Sequence, residues 1–135
     1  MARWNVKRLS RFLCGALFIG AGANHFLDTP FYVSIMPPYL PWPVALVYLS
    51  GIAETGLGSL LLVERWSRVA GWGLIALLVA VFPANIHMVL HPESFTWASP
   101  LSLWLRLPLQ GLLIVWVCWY TKPDHYPTTS PLPAA

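Results

Sequence analysis

The sequence has few charged side chains. Of its 135 residues only 10% are charged, whereas 57% are hydrophobic, and the mean hydropathy is +0.61. An average soluble domain is about 25% charged. A chain this poor in charge cannot cover a water-facing surface, so we expect lipid to be its solvent. The length suffices for one domain.

Familiar catalytic and cofactor motifs are absent as well. The sequence has no phosphate-binding loop, no G-x-G-x-x-G, no H-E-x-x-H and no nucleophile elbow. Its two cysteines, Cys14 and Cys118, form no C-x-x-C pair. No basic stripe is interleaved with aromatic residues as on a nucleic-acid surface. These absences exclude a soluble catalytic domain and leave nucleic acid out of the expected partners, whereas the question of enzymatic activity stays open.

Four long apolar runs are present instead, over residues 9–27, 44–63, 69–90 and 101–120. Each has about the 20 residues that a helix needs to cross hydrocarbon. We therefore predict an all-α protein, a four-helix transmembrane bundle over residues 1–122. The tail over residues 123–135 is rich in proline and small polar residues, and we expect it to be disordered.

The basic residues favour one orientation of this bundle. They cluster before the first run, between the second and third runs, and after the fourth run. By the positive-inside rule, both termini lie in the cytoplasm, and the protein is a multi-pass protein of the cell (inner) membrane.

The connection between the first two runs, residues 28–43, reads DTPFYVSIMPPYLPWP. Its prolines exclude a continuous helix, and its aromatic residues prefer the headgroup region. We interpret it as a Pro-rich interfacial segment, which serves either as an anchor or as a lid over a pocket.

Small residues recur along the runs at helical spacing, which predicts close helix packing. Ala16, Gly20 and Asn24 form one such stripe in the first run. Another stripe, in the second run, consists of Ser50 or Gly51 with Glu54 and Gly58.

Polar residues interrupt all four runs on the same side of the predicted membrane, in the outer leaflet. Polar side chains in hydrocarbon are expensive and usually pair or line a functional cavity. We therefore predict a pocket there. Its main residues are His25, Glu54, Asn85, Arg106 and Gln110, and its secondary residues are Asn24, Ser50 and His87.

Glu54 is the most costly of these residues, because it lies near the middle of the second run. Arg106 is its expected partner, since it is the only basic residue in the outer half. Glu54, Arg106 and Gln110 then form either a functional polar wall or a buried pair that fixes helix register.

Histidines on two helices raise the question of a haem or metal site, but a histidine at a helix end next to headgroups is the commoner case. We predict no metal at His25 and His87. Asn85 and His87 differ by about 200° on a helical wheel and cannot face one pocket.

The ordered set of these motifs resembles the DoxX-like branch of the DoxX/MauE group of small membrane proteins, over residues 11–119. The residues that carry the resemblance are His25-Phe26 with Pro30, Met36-Pro37-Pro38, Leu40-Pro41, Ser50-Gly51, Glu54, Gly58, Phe82-Pro83-Ala84-Asn85, Arg106 and Gln110.

The resemblance implies a four-helix membrane bundle whose shared polar residues map onto His25, Glu54, Asn85, Arg106 and Gln110. It also implies a link to redox enzymes, since DoxX is a membrane subunit of a thiosulfate:quinone oxidoreductase and MauE is tied to maturation of a methylamine-oxidising enzyme.

Our first hypothesis is a redox-associated protein whose pocket binds a quinone or a similar lipid-soluble molecule. The expected partners are the bilayer and either a redox-enzyme subunit or further copies of the chain. The alternatives are a non-catalytic assembly or stability factor for a partner membrane complex and, less favoured because four short spans suit alternating access poorly, a small-molecule or ion transporter.

Overall fold

The computed structural model describes residues 2–123, and its side chains from residue 6 onward. Its five α-helices are α1 (Ala2–Leu27), α2 (Thr29–Ser34), α3 (Pro43–Leu62), α4 (Ser67–Leu90) and α5 (Pro100–Thr121). Short 3₁₀ helices, Glu64–Trp66 and Pro92–Ser94, precede α4 and α5. No strand occurs in the described range, which confirms the all-α prediction. The predicted disorder of the tail falls, from residue 124, outside the described residues.

Three helical stretches are long and apolar enough to cross a membrane: Pro43–Leu62, Glu64–Leu90 and Pro100–Thr121. They coincide with the second, third and fourth predicted runs. α1 is not among them, because Arg11, Asn24 and His25 lower its mean hydropathy. The protein is thus all-helical with three candidate membrane spans.

The long helices pack in chain order, α1 against α3, α3 against α4, and α4 against α5. α1 and α5 meet at one end, where the Ser10 hydroxyl contacts the Tyr120 hydroxyl at 2.6 Å and accepts from Trp116 Nε1 at 2.8 Å. We call this the basic end, made up of the start of α1, the α3–α4 connection and the end of α5. The opposite end, which carries α2 and the α4–α5 connection, is the α2 end.

Glycines bring α1 and α3 into close contact. A Cβ added to Gly22 would lie 2.9 Å from the Gly51 carbonyl, and one added to Gly58 would lie 3.0 Å from the Gly15 carbonyl. Gly51 and Gly58 of the stripe predicted on α3 therefore form this contact with α1. The predicted stripe on α1 is wrong, because Ala16, Gly20 and Asn24 are exposed and Gly15 and Gly22 make the contact instead.

Two apolar clusters fill the interior. The larger one occupies the half of the bundle near the basic end, with Cys14, Phe18, Leu61, Ala70, Leu74, Leu78, Val117 and Tyr120. The smaller one lies near the α2 end, with Met88, Phe95 and Leu103. Both cysteines are free thiols.

The Pro-rich segment is partly helical. Pro30 lies in the first turn of α2, where a missing N–H costs nothing. A turn region follows, and Trp42 then enters α3 with φ of 50°. This left-handed conformation is unusual for a bulky residue. Pro43 directly after it starts the helix.

Candidate functional site

A hydrogen-bonded pair of ionisable side chains joins α1 to α3. His25 Nε2 lies 3.1 Å from Glu54 Oε2, and the two side chains are only 12% and 16% exposed. Glu54 shares a helix face with the buried Val47 and Leu61, seven residues before and after it. The pair therefore lies on the inward face of α3, where the glycine contacts hold α1 close.

The hydrogen-bond contacts of this pair are those of two side chains that share a proton. His25 Nδ1 lies 3.1 Å from the Val47 carbonyl oxygen. A carbonyl only accepts, so Nδ1 carries a hydrogen. The contact between Nε2 and Oε2 then requires one further proton, bound either to the imidazole or to the carboxyl group. In both states the pair has no net charge and holds one exchangeable proton.

Tyr32 of α2 covers the imidazole. The Tyr32 and His25 rings stack with their centres 4.0 Å apart and their planes at 28°. Asn24 Nδ2 donates to the Tyr32 hydroxyl at 3.0 Å, so the predicted secondary residue Asn24 acts on α2. Thr29 donates its hydroxyl to the His25 carbonyl at 2.8 Å. The Pro-rich segment is thus attached directly to the ionisable pair.

A second polar pair, formed by neutral amides, joins α4 to α5. Asn85 Nδ2 donates to Gln110 Oε1 at 2.6 Å. Gln110, which is 4% exposed, donates from Nε2 to the Leu78 carbonyl. Each amide group still has one N–H that is not used in these bonds.

Pro83 lies inside α4 close to this pair. A proline deprives the carbonyl four residues earlier, here that of Val79, of its helical donor. Gln110 donates to the neighbouring carbonyl of Leu78.

Arg106 is half-buried on α5, and its guanidinium carbon lies 5.9 Å from the centre of the Trp97 ring. It forms no ion pair within residues 2–123. The predicted pair of Glu54 and Arg106 is therefore wrong. The reason is helix order, since α3 packs against α1 and α4, whereas α5 packs against α4. A common depth did not bring the two charges together.

A continuous chain of rings nevertheless links Arg106 to the ionisable pair across the α2 end. Trp97 contacts Phe31 with ring centres 5.2 Å apart, and Phe31 contacts Tyr32 at 5.3 Å. Tyr32 stacks on His25. We call these four rings, Trp97, Phe31, Tyr32 and His25, the aromatic chain. It joins the two connections that cover this end.

The remaining predicted residues lie apart from both pairs. His87 packs its ring 4.6 Å from that of His91 and 6.1 Å from that of Phe95. It is thus separate from Asn85, as the helical wheel predicts. Ser50 is half-buried on α3, and its hydroxyl makes no hydrogen bond within the described chain. Within residues 2–123, no group of three or more His, Cys, Asp or Glu side chains is placed to hold a metal ion.

Two open grooves lie on the surface of the helices. One, of about 340 Å³, runs between α4 and α5 and is lined by Val79, Phe82, Leu107, Gln110, Gly111 and Ile114. The other, of about 420 Å³, lies at the start of α3 and is lined by Trp42, Pro43, Val44, Ala45 and Tyr48. Gln110 is the only side chain of the predicted pocket in either groove.

Sequence reasoning missed the residues that orient His25. The sequence predicts Tyr32 only as one of the interfacial aromatic residues of the Pro-rich segment, and the Val47 carbonyl carries no sequence signal. The spacing of seven between His25 and Tyr32 suggests two helical turns, but the break before α2 hides that relation.

Fold and site together define a small all-helical protein with three apolar helices and two buried polar pairs. The chain belongs to the family described as Domain of unknown function (DUF8561), whose model matches residues 14–121. No curated protein and no solved structure matches the chain.

Proposed function

We propose that this protein is a DoxX-like, redox-associated membrane protein that binds a quinone or a similar lipid-soluble molecule. In this proposal α1 joins the three apolar helices as a fourth span, and both termini are cytoplasmic. The α2 end then faces outward. The pocket lies in the outer half of the bundle, with the His25–Glu54 pair on one wall and the Asn85–Gln110 pair on the other.

The observation that carries the proposal is the contrast between these two pairs. Both link neighbouring helices by one side-chain hydrogen bond. Neutral amides perform that task between α4 and α5, so packing alone does not require ionisable groups between α1 and α3. Ionisable groups are rare and costly in hydrocarbon and usually mark a functional site. Unlike the amide pair, His25 and Glu54 share a proton that they can exchange with a ligand.

A quinone uses such a proton. It becomes a quinol by taking up two electrons and two protons, and its carbonyl oxygens accept hydrogen bonds. We assign the electrons to a redox-enzyme partner. The His25–Glu54 pair passes on the two protons one at a time and takes up a new proton from the outer aqueous phase after each transfer. The His25–Glu54 pair also donates its proton in a hydrogen bond to one carbonyl oxygen of the bound quinone. The amide pair binds the other, because Gln110 lines the α4–α5 groove and its Nε2 has one N–H left for a carbonyl oxygen.

The lining of this groove suits a lipid-soluble ligand. Small-molecule sites are mostly apolar with a few polar groups, and Gln110 is the one polar side chain of this groove. It is open along the helices, so a ligand reaches it from the bilayer without crossing water.

The test is Glu54→Gln. The glutamine keeps the size of the side chain and can donate to His25 Nε2, so the link between the helices is kept while the exchangeable proton is lost. We expect affinity for a short-chain ubiquinone analogue, titrated onto purified protein in detergent, to fall about tenfold, since hydrogen bonds of charged groups contribute about 1.5–3 kcal/mol. The thermal unfolding midpoint should stay close to that of the wild type.

The matched control is Tyr120→Phe, which removes the Tyr120 hydroxyl that contacts Ser10 at the basic end. This variant should bind the ubiquinone analogue as the wild type does. Equal affinity in wild type and Glu54→Gln would contradict the proposal.

A second candidate is the assembly or stability factor. The observation in its favour is that the polar side chains of each pair bond to one another, and neither of the two grooves described above contains Glu54 or Arg106. In that case Glu54→Gln leaves quinone binding unchanged and lowers thermal stability, and a partner membrane protein co-purifies with the wild type.

A further inference from the structure

The basic end contains an arginine, Arg11, whose side chain is buried but not fully hydrogen-bonded among the described residues. The Arg11 side chain on α1 is only 11% exposed, and among the described residues it forms an ion pair with Glu64, with Nη2 3.7 Å from Oε2. The Glu64 side chain itself is 62% exposed. Arg11 Nε is buried and has no hydrogen-bond partner among the described residues. Part of this guanidinium is therefore withdrawn from water without an acceptor.

An unsatisfied buried donor on a charged group is costly, and an acceptor that approaches it stabilises the protein. The five N–H groups of arginine form a planar fork that fits the oxygens of a phosphate. Arg11 is thus suited to a phosphate group that enters between α1 and the α3–α4 connection.

The surroundings of Arg11 favour an anion. The described part of the basic end contains one acidic residue, Glu64. Its basic residues are Lys7, Arg8, Arg11, Arg65, Arg68 and Lys122. A ligand with negative charge gains from this field, and the gain from the exposed residues falls with added salt.

Exposed apolar side chains lie beside these charges. The Arg8 guanidinium carbon lies 6.0 Å from the centre of the Phe12 ring, and that of Arg65 lies 5.3 Å from the Trp66 ring. Phe12 and Trp66 are both exposed. A ligand at Arg11 therefore meets positive charge and apolar surface together, which fits a headgroup with acyl chains better than a free ion.

We propose that Arg11 anchors the phosphate of an anionic phospholipid at the basic end. This site is separate from the proposed quinone pocket, and neither depends on the other. Glu64 competes with the phosphate for the same guanidinium.

The experiment measures thermal unfolding of the purified full chain in detergent, followed by tryptophan fluorescence, during titration with phosphatidylglycerol or phosphatidylcholine. It is done in about 1 M salt, where the Debye length is about 3 Å and exposed charges contribute little. Phosphatidylglycerol should raise the midpoint at lower concentration than phosphatidylcholine does. Equal responses of the wild type to the two lipids would overturn the proposal.

Two variants locate the site, and one is its matched control. Arg11→Gln should shift the half-maximal phosphatidylglycerol concentration upward about tenfold. Arg68→Gln, which removes one exposed charge from the same end, should leave it nearly unchanged in high salt. An unchanged response in Arg11→Gln, or an equal loss in Arg68→Gln, would reject Arg11 as the anchor.

Glu64→Gln tests the same site without removing the buried arginine, so it serves even where Arg11→Gln does not fold. Loss of the competing carboxylate should lower the half-maximal phosphatidylglycerol concentration, and no gain would contradict the proposal. Inorganic phosphate is the remaining probe. A midpoint shift with millimolar phosphate equal to that with phosphatidylglycerol would overturn the assignment to a lipid.

Discussion

At the scale of single residues, Gly51 determines whether the ionisable pair can form. A Cβ at this position would lie 2.8 Å from the His25 Cβ and 3.0 Å from the Gly22 carbonyl oxygen. Neither neighbour can move away easily, because one is attached directly to a helix backbone and the other belongs to it. α1 would have to move away from α3, and His25 would move with it.

We therefore expect Gly51→Ala to lower the free energy of unfolding by about 1–3 kcal/mol, the usual cost of overpacking, and to weaken ubiquinone binding as well. Gly56→Ala on the same helix is the control. Nothing lies within 4 Å of its added Cβ, and alanine is the better helix former by about 0.5–1 kcal/mol. Thermal or denaturant unfolding in one detergent compares the two, and equal stabilities would contradict the packing argument.

The sequence identified the costly polar residues but not how they pair. Glu54, His25, Asn85 and Gln110 stand out because each interrupts an apolar run. Pairing depends on which helices are neighbours and on which face each side chain occupies. The depth of a residue along the membrane normal shows neither which helices are neighbours nor which face its side chain occupies. Shared depth therefore predicts Arg106 as the partner of Glu54, whereas the structure pairs Glu54 with His25.

At the scale of secondary-structure elements, the aromatic chain connects α2 to the α4–α5 connection. The contact between Phe31 and Trp97 is its central link. Without it, α2 is held by its packing against α3 and by the contacts of Tyr32 and Thr29 with His25.

We expect Trp97→Ala to increase amide hydrogen exchange in α2 and in residues 92–99 about tenfold or more, because aromatic pairs contribute about 0.5–1.5 kcal/mol beyond the area they bury. α3 and α5 should be unaffected. Tyr39→Ala, which removes an exposed ring outside the aromatic chain, is the control. Hydrogen-exchange mass spectrometry measures both, and unchanged exchange in α2 would show that this link is dispensable.

The first and last residues of a helix can be predicted from the sequence where the thickness of the hydrocarbon core sets the length of the helix. The second to fourth apolar runs agree with α3, α4 and α5 within two residues. α1 begins seven residues before the predicted run, because its basic first turns are helical too. α2 was not predicted, since the many prolines of this segment conceal that Pro30 lies in a first helical turn, where proline is tolerated.

At the scale of the whole molecule, charge is distributed unevenly between the two ends. The basic end holds seven Lys and Arg residues of the described range, six of them with described side chains, whereas Arg106 is the only Lys or Arg of that range near the α2 end. This asymmetry supports the proposed orientation. The three apolar helices alone leave open on which side α1 begins.

Single cysteines in a cysteine-free variant, labelled on intact cells with a membrane-impermeant maleimide, test the four-span arrangement. We expect labelling at Ser34→Cys and Ser94→Cys, and none at Val6→Cys or Ser67→Cys until the cells are permeabilised. Labelling of both Val6→Cys and Ser34→Cys on intact cells would show that α1 does not cross the bilayer.

The close contact between α1 and α3 also decides where the bundle can open. Glycines of each helix lie against the backbone of the other. The two helices therefore cannot slide or separate without breaking several contacts at once, and they move as a rigid unit. Among the described residues, by contrast, the hydrogen bonds between α1 and α5 are confined to Ser10 at the basic end, and the two helices do not pack against each other along their length. A breathing motion that exposes the interior to the bilayer would hinge at that serine and widen the gap between the far halves of α1 and α5.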